Sequence, residues 1–599
     1  MQPRSAVALA WGVAGALFLA KSTSVFGVRD LDTDDVMRLV QVRDLLAGQG
    51  WFDLTQHRVD PPDGLVMHWS RLVDAPIAVL IALLRLPLPA DAAERVAMAL
   101  WPTLLLLPAL AVVASIARSL GGRASVPVAL MLFCVVGPAG TQFFAGRIDH
   151  HNLQILACLT ALAAMLRLPT QRWAGLVAGL AGAVMLAVGI ETLPYLVVLC
   201  GAAALMAAHD PDRTGPGVVL FGLGLAGGAA LLTAATVPPQ QVMAAHCDAI
   251  SAPYLGAAVA GGLALAAGAL LMRRTPSGAG RLAFAVAPGA VALAAVAAFG
   301  PHCLRGPVAE IDPRLGPVWL NGVQEMEPLL RLLRSADMLA TITAVAAAFG
   351  VASWAVLAKG RPTRAAGPTL CLVLMGVALL VAAGQVRGAY YVNAFASPLI
   401  AAGLATAVRR MQVRPDHVGS AALAGVLAVS APGMLLNMAF GTGPGAPSGV
   451  ASASAAPAPA AAPSRSPGQT SLSEPGCAEP NVFNPIGALP PGLVLGGVDL
   501  GPLVLAGTTA HTVLGAPYHR NAAGILASHD LLAGSLDGAE ERLRARGVRY
   551  VALCGRTPEQ DRAGGLAAAL AAGTPPAWLE LAVRNGPLRV YRLRSANAG

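Results

Sequence analysis

The chain has 599 residues, of which 55% are hydrophobic and only 12% charged, and its mean hydropathy is +0.63. These values exclude a soluble domain with an ordinary charged surface. The net charge of +9 does not describe a nucleic-acid binder, because the Arg residues are scattered through short gaps between apolar runs and form no patch.

Apolar stretches long enough to cross about 30 Å of hydrocarbon fall near residues 5–22, 95–117, 124–140, 153–168, 173–190, 193–208, 217–236, 254–272, 282–300, 337–358, 367–385, 389–408 and 419–440. The expected fold is therefore a polytopic α-helical membrane protein with about thirteen spans. No small-residue cleavage site follows the first stretch, so it is kept as a span rather than a signal peptide. With 66 Gly and abundant Ala, the helices are expected to pack closely through small side chains.

Lys and Arg accumulate in alternate gaps: Arg4, Arg118 and Arg123, Arg167 and Arg172, Arg213, Arg273 and Arg274, Lys359 to Arg364, and Arg409 to Arg414. These gaps are assigned to the cytoplasm of a bacterial-type inner membrane. The opposite, periplasmic face then receives residues 23–94, 141–152, 237–253, 301–336 and everything after about 441. The membrane domain spans residues 1–440. Residues 441–475, rich in Ala, Pro and Ser, read as a flexible linker.

Residues 476–599 read as a compact α/β domain on the outer face. Strand-like runs cover Val494 to Gly497, Leu503 to Ala506, Val548 to Leu553, Leu579 to Val583 and Leu588 to Leu593, with a helical stretch near 537–546. Four of the eight cysteines lie in spans. The others, Cys247, Cys303, Cys477 and Cys554, all fall on the outer side, where two disulfides can form.

Four polar groups on that face could carry chemistry. The first loop contains Asp32-Thr33-Asp34-Asp35 ahead of an amphipathic stretch through Leu46. The acids can cap this helix, or their oxygens can ligate a divalent cation; the stretch itself is suited to the membrane interface. The second group is Gly146-Arg147-Ile148-Asp149-His150-His151-Asn152 at a span start. Capping accounts for Asp149 but not for two histidines, and Asp149 and His151 can share a metal.

Gly322 to Pro328 holds Glu325 and Glu327 at a turn before a helix, and by itself this stretch reads as a solvated pair. Arg387, in Gln385-Val386-Arg387-Gly388-Ala389-Tyr390-Tyr391, either snorkels to the headgroups or offers forked donors to phosphate. Ala516 to Asn521 is the most polar-aromatic patch of the small domain, a solvated loop or an acceptor contact.

Together and in this order, the four groups resemble the catalytic subunit of oligosaccharyltransferase, in particular the single-subunit archaeal form, over residues 1–440. Asp32-Thr33-Asp34 resembles the family's first acidic motif and Gly146 to Asn152 the second, with its Asp-x-His form. Val323-Gln324-Glu325 with Pro328 resembles the outer-loop glutamate motif, and Gln385 to Tyr391 the segment with the pyrophosphate-binding arginine.

The resemblance implies a GT-C fold and a metal-dependent transfer of a sugar or oligosaccharide from a polyprenyl-phosphate or polyprenyl-pyrophosphate donor to a periplasmic protein, lipid or glycan. It implies Mn²⁺ or Mg²⁺ on Asp34, Asp149 and His151, with Asp32 and His150 behind them. Arg387 would bind the donor phosphate, and Asp34 and Glu325 would act in catalysis. The family's WWDYG motif, which reads the hydroxyl of the glycosylation sequon, has no counterpart here; Trp578 is the single Trp after the linker. A transporter or flippase for a lipid-linked sugar is the alternative, but it would hold its polar groups near the midplane between repeated halves.

Overall fold

A computed structural model of the chain describes residues 2–21, 32–275, 278–359, 365–413 and 476–595. The expected span at 419–440 and the linker at 441–475 lie outside the described residues.

The helices of the membrane part are α1 (Pro3–Lys21), α2 (Thr33–Leu46), α3 (Arg71–Leu84), α4 (Ala90–Gly121), α5 (Val126–Met131), α6 (His151–Arg167), α7 (Trp173–Val188), α8 (Leu193–His209), α9 (Pro211–Thr236), α10 (Ala252–Met272), α11 (Gly278–Phe299), α12 (Met338–Ala358), α13 (Ala366–Gly384) and α14 (Gly388–Val413). Among the described residues, nine helices are long and apolar enough to cross a membrane, and two further apolar helices are shorter. The chain is a multi-pass membrane protein.

The expected span at 124–140 is broken. It runs as α5, a wide turn over Leu132–Val136 and a separate turn of helix at Pro138–Thr141. Pro138 disfavours a helical residue before it, and Gly137 is extended. The Asn393 side chain fills the breach and accepts from the Ala139 amide at 3.3 Å.

The small-residue packing expected from composition is present. A Cβ on Gly175 of α7 would sit 1.8 Å from the Gly217 carbonyl oxygen of α9, and one on Gly222 of α9 would sit 2.3 Å from the Gly262 carbonyl oxygen of α10. The Arg-bearing gaps also meet one another. Arg409 donates to the Gly121 carbonyl at 2.8 Å, Arg213 to that of Pro169 at 2.9 Å and Arg410 to that of Lys359 at 3.3 Å.

Asp32 caps α2, accepting from the Asp34 amide at 3.3 Å, and Asp34 and Asp35 occupy the first turn at the positive end of the helix dipole. This helix does not lie in the interface as its amphipathic pattern suggested. Val36, Met37 and Val40 are buried in one core with Trp69 and with Phe483, Leu503 and Val513 of the small domain. Burial on both sides removes the half-exposed face that an interfacial helix needs. Helix α3, capped by Ser70, was hidden inside the long loop 23–94; it packs with Leu39, Val42 and Trp101.

A hairpin of β1 (Thr55–Gln56) and β2 (Leu65–Val66) precedes α3. The small domain contains β3 (Leu493–Gly496), α15 (Leu500–Gly507), β4 (Thr512–Val513), α16 (Ala522–Ala533), α17 (Ala539–Ala545), β5 (Val548–Leu553), α18 (Leu566–Ala571), β6 (Leu579–Asn585) and β7 (Leu588–Leu593). Its five strands lie in the order β4-β3-β5-β7-β6, with β4, β3 and β5 parallel and β7 and β6 antiparallel to their neighbours.

Leu503 to Ala506 is therefore helix and not strand. A four-residue apolar run is ambiguous by periodicity, and here it covers the sheet within α15. Both disulfides form, Cys247 with Cys303 and Cys477 with Cys554. The small domain extends the edge of its sheet onto the first loop: Val513 donates to the Arg58 carbonyl, and Asp60 to the Val513 carbonyl, each at 2.8 Å.

Candidate active site

The second acidic motif forms the centre. Gly146 adopts φ 96°, a left-handed conformation that favours glycine, and turns the chain so that Asp149, His150 and His151 gather at the start of α6. Their ligand atoms lie within 4.8 Å of one another. Asp149 does not cap α6; the cap position belongs to His150, which makes no capping bond.

Oδ1 of Asp149 accepts from Arg38 at 2.9 Å and contacts His150 Nδ1 at 2.6 Å. Its Oδ2 is buried with no hydrogen-bond partner among the described residues, and His151 Nε2 lies 3.5 Å away. Burial disfavours charge on Asp149, but His150, His151 and Arg38 outweigh it and hold the carboxyl well below the usual range. Burial likewise opposes protonation of His150, yet Asp149 and Glu191 push it up to about 10.

The glutamate motif reaches the same place. Glu325 Oε2 lies 3.7 Å from His151 Nε2, and Oε1 accepts from the Tyr390 hydroxyl at 3.2 Å. Glu325 and Glu327 are thus no solvated pair. Glu325 is held to about 2 because His151, Arg387 and Arg147 outweigh the effect of burial.

Asp34 faces this group. Burial first, then the charges of Asp149, Asp32 and Glu325, raise its carboxyl well above the usual value. Three carboxylates bear on a fourth in a buried place. A cation among them would relieve that repulsion, and oxygen donors with an imidazole nitrogen suit a divalent metal. The residues present fit such an ion, and the orphaned Oδ2 of Asp149 is the oxygen free to take it.

Asp32 is set back. Besides capping α2, its Oδ2 accepts from Arg147 at 2.9 Å. Arg387 stands on the other side, donating to Gln385 Oε1 at 2.9 Å, with Nη1 3.9 Å from Glu191 Oε1. Its side chain turns into the site rather than away from it.

Several residues here escaped the sequence reading. Arg38, fully buried, ties Asp149 to Asp74 at 2.9 Å each. Arg147 bridges Asp32 and Asp35 at 2.9 and 3.0 Å. Glu191, between α7 and α8, accepts from Gln154 at 2.8 Å and lies 3.6 Å from His150 Nε2. The patch Ala516 to Asn521 is not a solvated loop: Ala516, Tyr518 and Asn521 are buried, and the Tyr518 hydroxyl donates to the Thr33 carbonyl at 3.2 Å. Polar residues in short gaps between apolar runs were the signal for Glu191.

This arrangement of helices with a small α/β domain is the fold of the oligosaccharyltransferase catalytic subunit, within the GT-C architecture expected from the motifs. Among solved structures the chain is similar to the archaeal oligosaccharyltransferase AglB of Archaeoglobus fulgidus in complex with an inhibitory peptide and a dolichol-phosphate, with a TM-score of 0.66, 12% identity, and coverage of 91% of this chain and 69% of that one. The apo form of the Archaeoglobus fulgidus enzyme gives 0.66 and 13% over 92% and 69%, and its complex with Zn and sulfate gives 0.60 and 13% over 91% and 67%. No protein-family model matches the sequence, and no curated protein matches it.

Proposed function

We propose that the chain is a metal-dependent membrane glycosyltransferase that moves a sugar or oligosaccharide from a polyprenyl-phosphate or polyprenyl-pyrophosphate donor to an acceptor on the periplasmic face of the inner membrane. The observation that carries the reading is the buried Oδ2 of Asp149, without a hydrogen-bond partner among the described residues and 3.5 Å from His151 Nε2, in the fold of oligosaccharyltransferase. The dolichol-phosphate and peptide held by AglB support a lipid-linked donor and a separate acceptor.

Asp34, Asp149 and His151 would hold the ion, Mn²⁺ or Mg²⁺ in this reading; the Zn and sulfate bound by the archaeal enzyme support a cation close to an oxyanion. A bound divalent ion supplies stabilisation of the charge that develops on the departing phosphate. Arg387 adds a forked donor to that phosphate. Glu325, ionised at neutral pH, accepts a hydrogen bond from the acceptor nucleophile and orients it towards the anomeric carbon. His150 and Arg38 hold Asp149 in place. The membrane domain, residues 1–440, thus carries donor and metal groups, and residues 476–599 close the site from outside.

The test is divalent-metal binding and lipid-linked-sugar turnover in purified wild type, Asp34→Ala, Asp149→Ala and His151→Ala. Each variant is expected to lose metal affinity and turnover together. Equal metal affinity in all four proteins would sink the assignment.

A further inference from the structure

We infer that Tyr518 of the small domain is a positioning residue for Asp34, so that the small domain completes the metal-holding half of the membrane site. This rests on the reading of Asp34 as a ligand. The Tyr518 hydroxyl lies at the first turn of α2 and donates at 3.2 Å to the Thr33 carbonyl, which belongs to the peptide bond that leads into Asp34. The other charged groups that bear most on Asp34 are the carboxylates of Asp149, Asp32 and Glu325. A carboxylate facing three others turns away unless its backbone is held, and the hydroxyl holds the peptide that carries Asp34 without consuming its charge.

The ring is itself fixed. Its edge meets Trp69 with centroids 5.3 Å apart at 84°, a favourable T-shaped pair. Arg38 stacks on the same Trp69, 4.2 Å from the ring centroid, and binds Asp149 at 2.9 Å. One aromatic pair therefore supports both Asp34, through Tyr518, and Asp149, through Arg38. The segment that carries Tyr518 is clamped beyond it. Arg520 binds Asp248 through two donors, at 2.7 and 2.6 Å, and His519 Nε2 lies 2.7 Å from the same carboxylate. Asp248 belongs to the loop between α9 and α10, beside the disulfide-bonded Cys247. The clamp ties the small domain to the membrane part at the one point where its hydroxyl enters the site.

The experiment is a Mn²⁺ titration, read by electron paramagnetic resonance, on the full-length protein in lipid nanodiscs. Wild type, Tyr518→Phe, Arg520→Ala and Asp34→Asn are compared, with thermal unfolding measured alongside. Tyr518→Phe keeps the ring against Trp69, so its unfolding midpoint should match wild type while Mn²⁺ affinity falls about tenfold or more, the usual loss when a group that orients a ligand is removed. Arg520→Ala should weaken Mn²⁺ in the same direction. Wild-type affinity in Tyr518→Phe alongside loss in Asp34→Asn overturns the role of Tyr518 alone. Wild-type affinity in Asp34→Asn overturns the ligand reading of Asp34, and the role of Tyr518 with it.

Discussion

Nη2 of Arg38 meets Oδ1 of Asp149 at 2.9 Å with both side chains withdrawn from solvent, and Nη1 of the same guanidinium meets Asp74 at 2.9 Å. One cation thus pairs with two buried carboxylates, one in the first turn of α3 and one just before α6. Removing one partner of such a pair leaves uncompensated charge, at a cost of about 3–5 kcal/mol. Arg38→Ala should lower the thermal midpoint sharply. Arg38→Lys should recover little, because an ammonium cannot span both carboxylates with a planar fork. An unchanged midpoint in Arg38→Ala would show that the pairs contribute nothing.

Arg387 is expected to separate donor binding from metal binding. It faces the site beside Glu191, 3.9 Å away, and is not among the groups gathered around Asp149. Arg387→Ala should raise the donor KM tenfold or more while Mn²⁺ affinity stays at the wild-type value, since a charge-assisted contact to phosphate is worth about 1.5–3 kcal/mol. Loss of metal affinity together with donor affinity would place Arg387 in the metal cluster instead.

Acid should loosen the clamp between the small domain and the membrane part. Burial pushes the His68 imidazole down to about 3, and neighbouring His519 and Arg520 push the same way, against Asp248 and Glu191. Its folded value lies below the ordinary 6.5, so the unfolded form takes the proton first, and stability falls as pH drops from about 6.5 towards 3. Asp248 is also buried, but His519 and Arg520 depress its carboxyl; its contribution is present above the ordinary carboxylate range and lost only below it. In unfolding scans at pH 7 and pH 5, wild type should lose more stability than His68→Phe. Parallel losses in the two proteins would rule out the imidazole as the cause.

Much of this was legible from residue pattern. Hydropathy located the helices, because a span must be apolar whatever it packs against. The grouping of Asp149, His151 and Glu325 was legible because polar side chains at span ends have few reasons to be there. Glu191 was not: a lone acid in the short turn Gly189 to Thr192 reads as a boundary. Arg38 was not, because a cation on a helix face otherwise apolar reads as an interruption of the pattern, and its meaning lies in Asp74 and Asp149, distant in sequence. Leu503 to Ala506 went to the wrong class because four apolar residues carry no period. Val36 and Val40 were set at the membrane interface because an apolar stripe does not say what covers it.

Close helix contacts through glycine should tolerate no added methyl. Gly175 of α7 and Gly222 of α9 each face a carbonyl oxygen of the neighbouring helix, so a Cβ must push backbone, not a flexible side chain. Gly175→Ala and Gly222→Ala are each expected to cost about 1–3 kcal/mol, read as a lower thermal midpoint. Gly227, with open space around its Cβ position, is the control: Gly227→Ala should be neutral or slightly stabilising. Equal midpoints in all three would mean that the helices slide apart freely.

Crosslinking of the small domain itself should matter as well. Cys477 and Cys554 join positions separated by 77 residues, and removing such a bridge usually costs about 2–5 kcal/mol. Cys554→Ser is expected to make residues 476–595 more sensitive to protease than wild type. Identical digestion rates would show that the sheet holds without it.

Helix α2 begins at Thr33, near the start of the chain, yet Val36, Met37 and Val40 are covered by residues as late as Val590. Synthesis therefore delivers the two halves of this core far apart in time. The first acidic motif is made long before residues 476–595, and this face of it stays bare until they fold over it. A nascent or truncated chain lacking residues 476–595 would display that apolar surface to whatever quality control meets it.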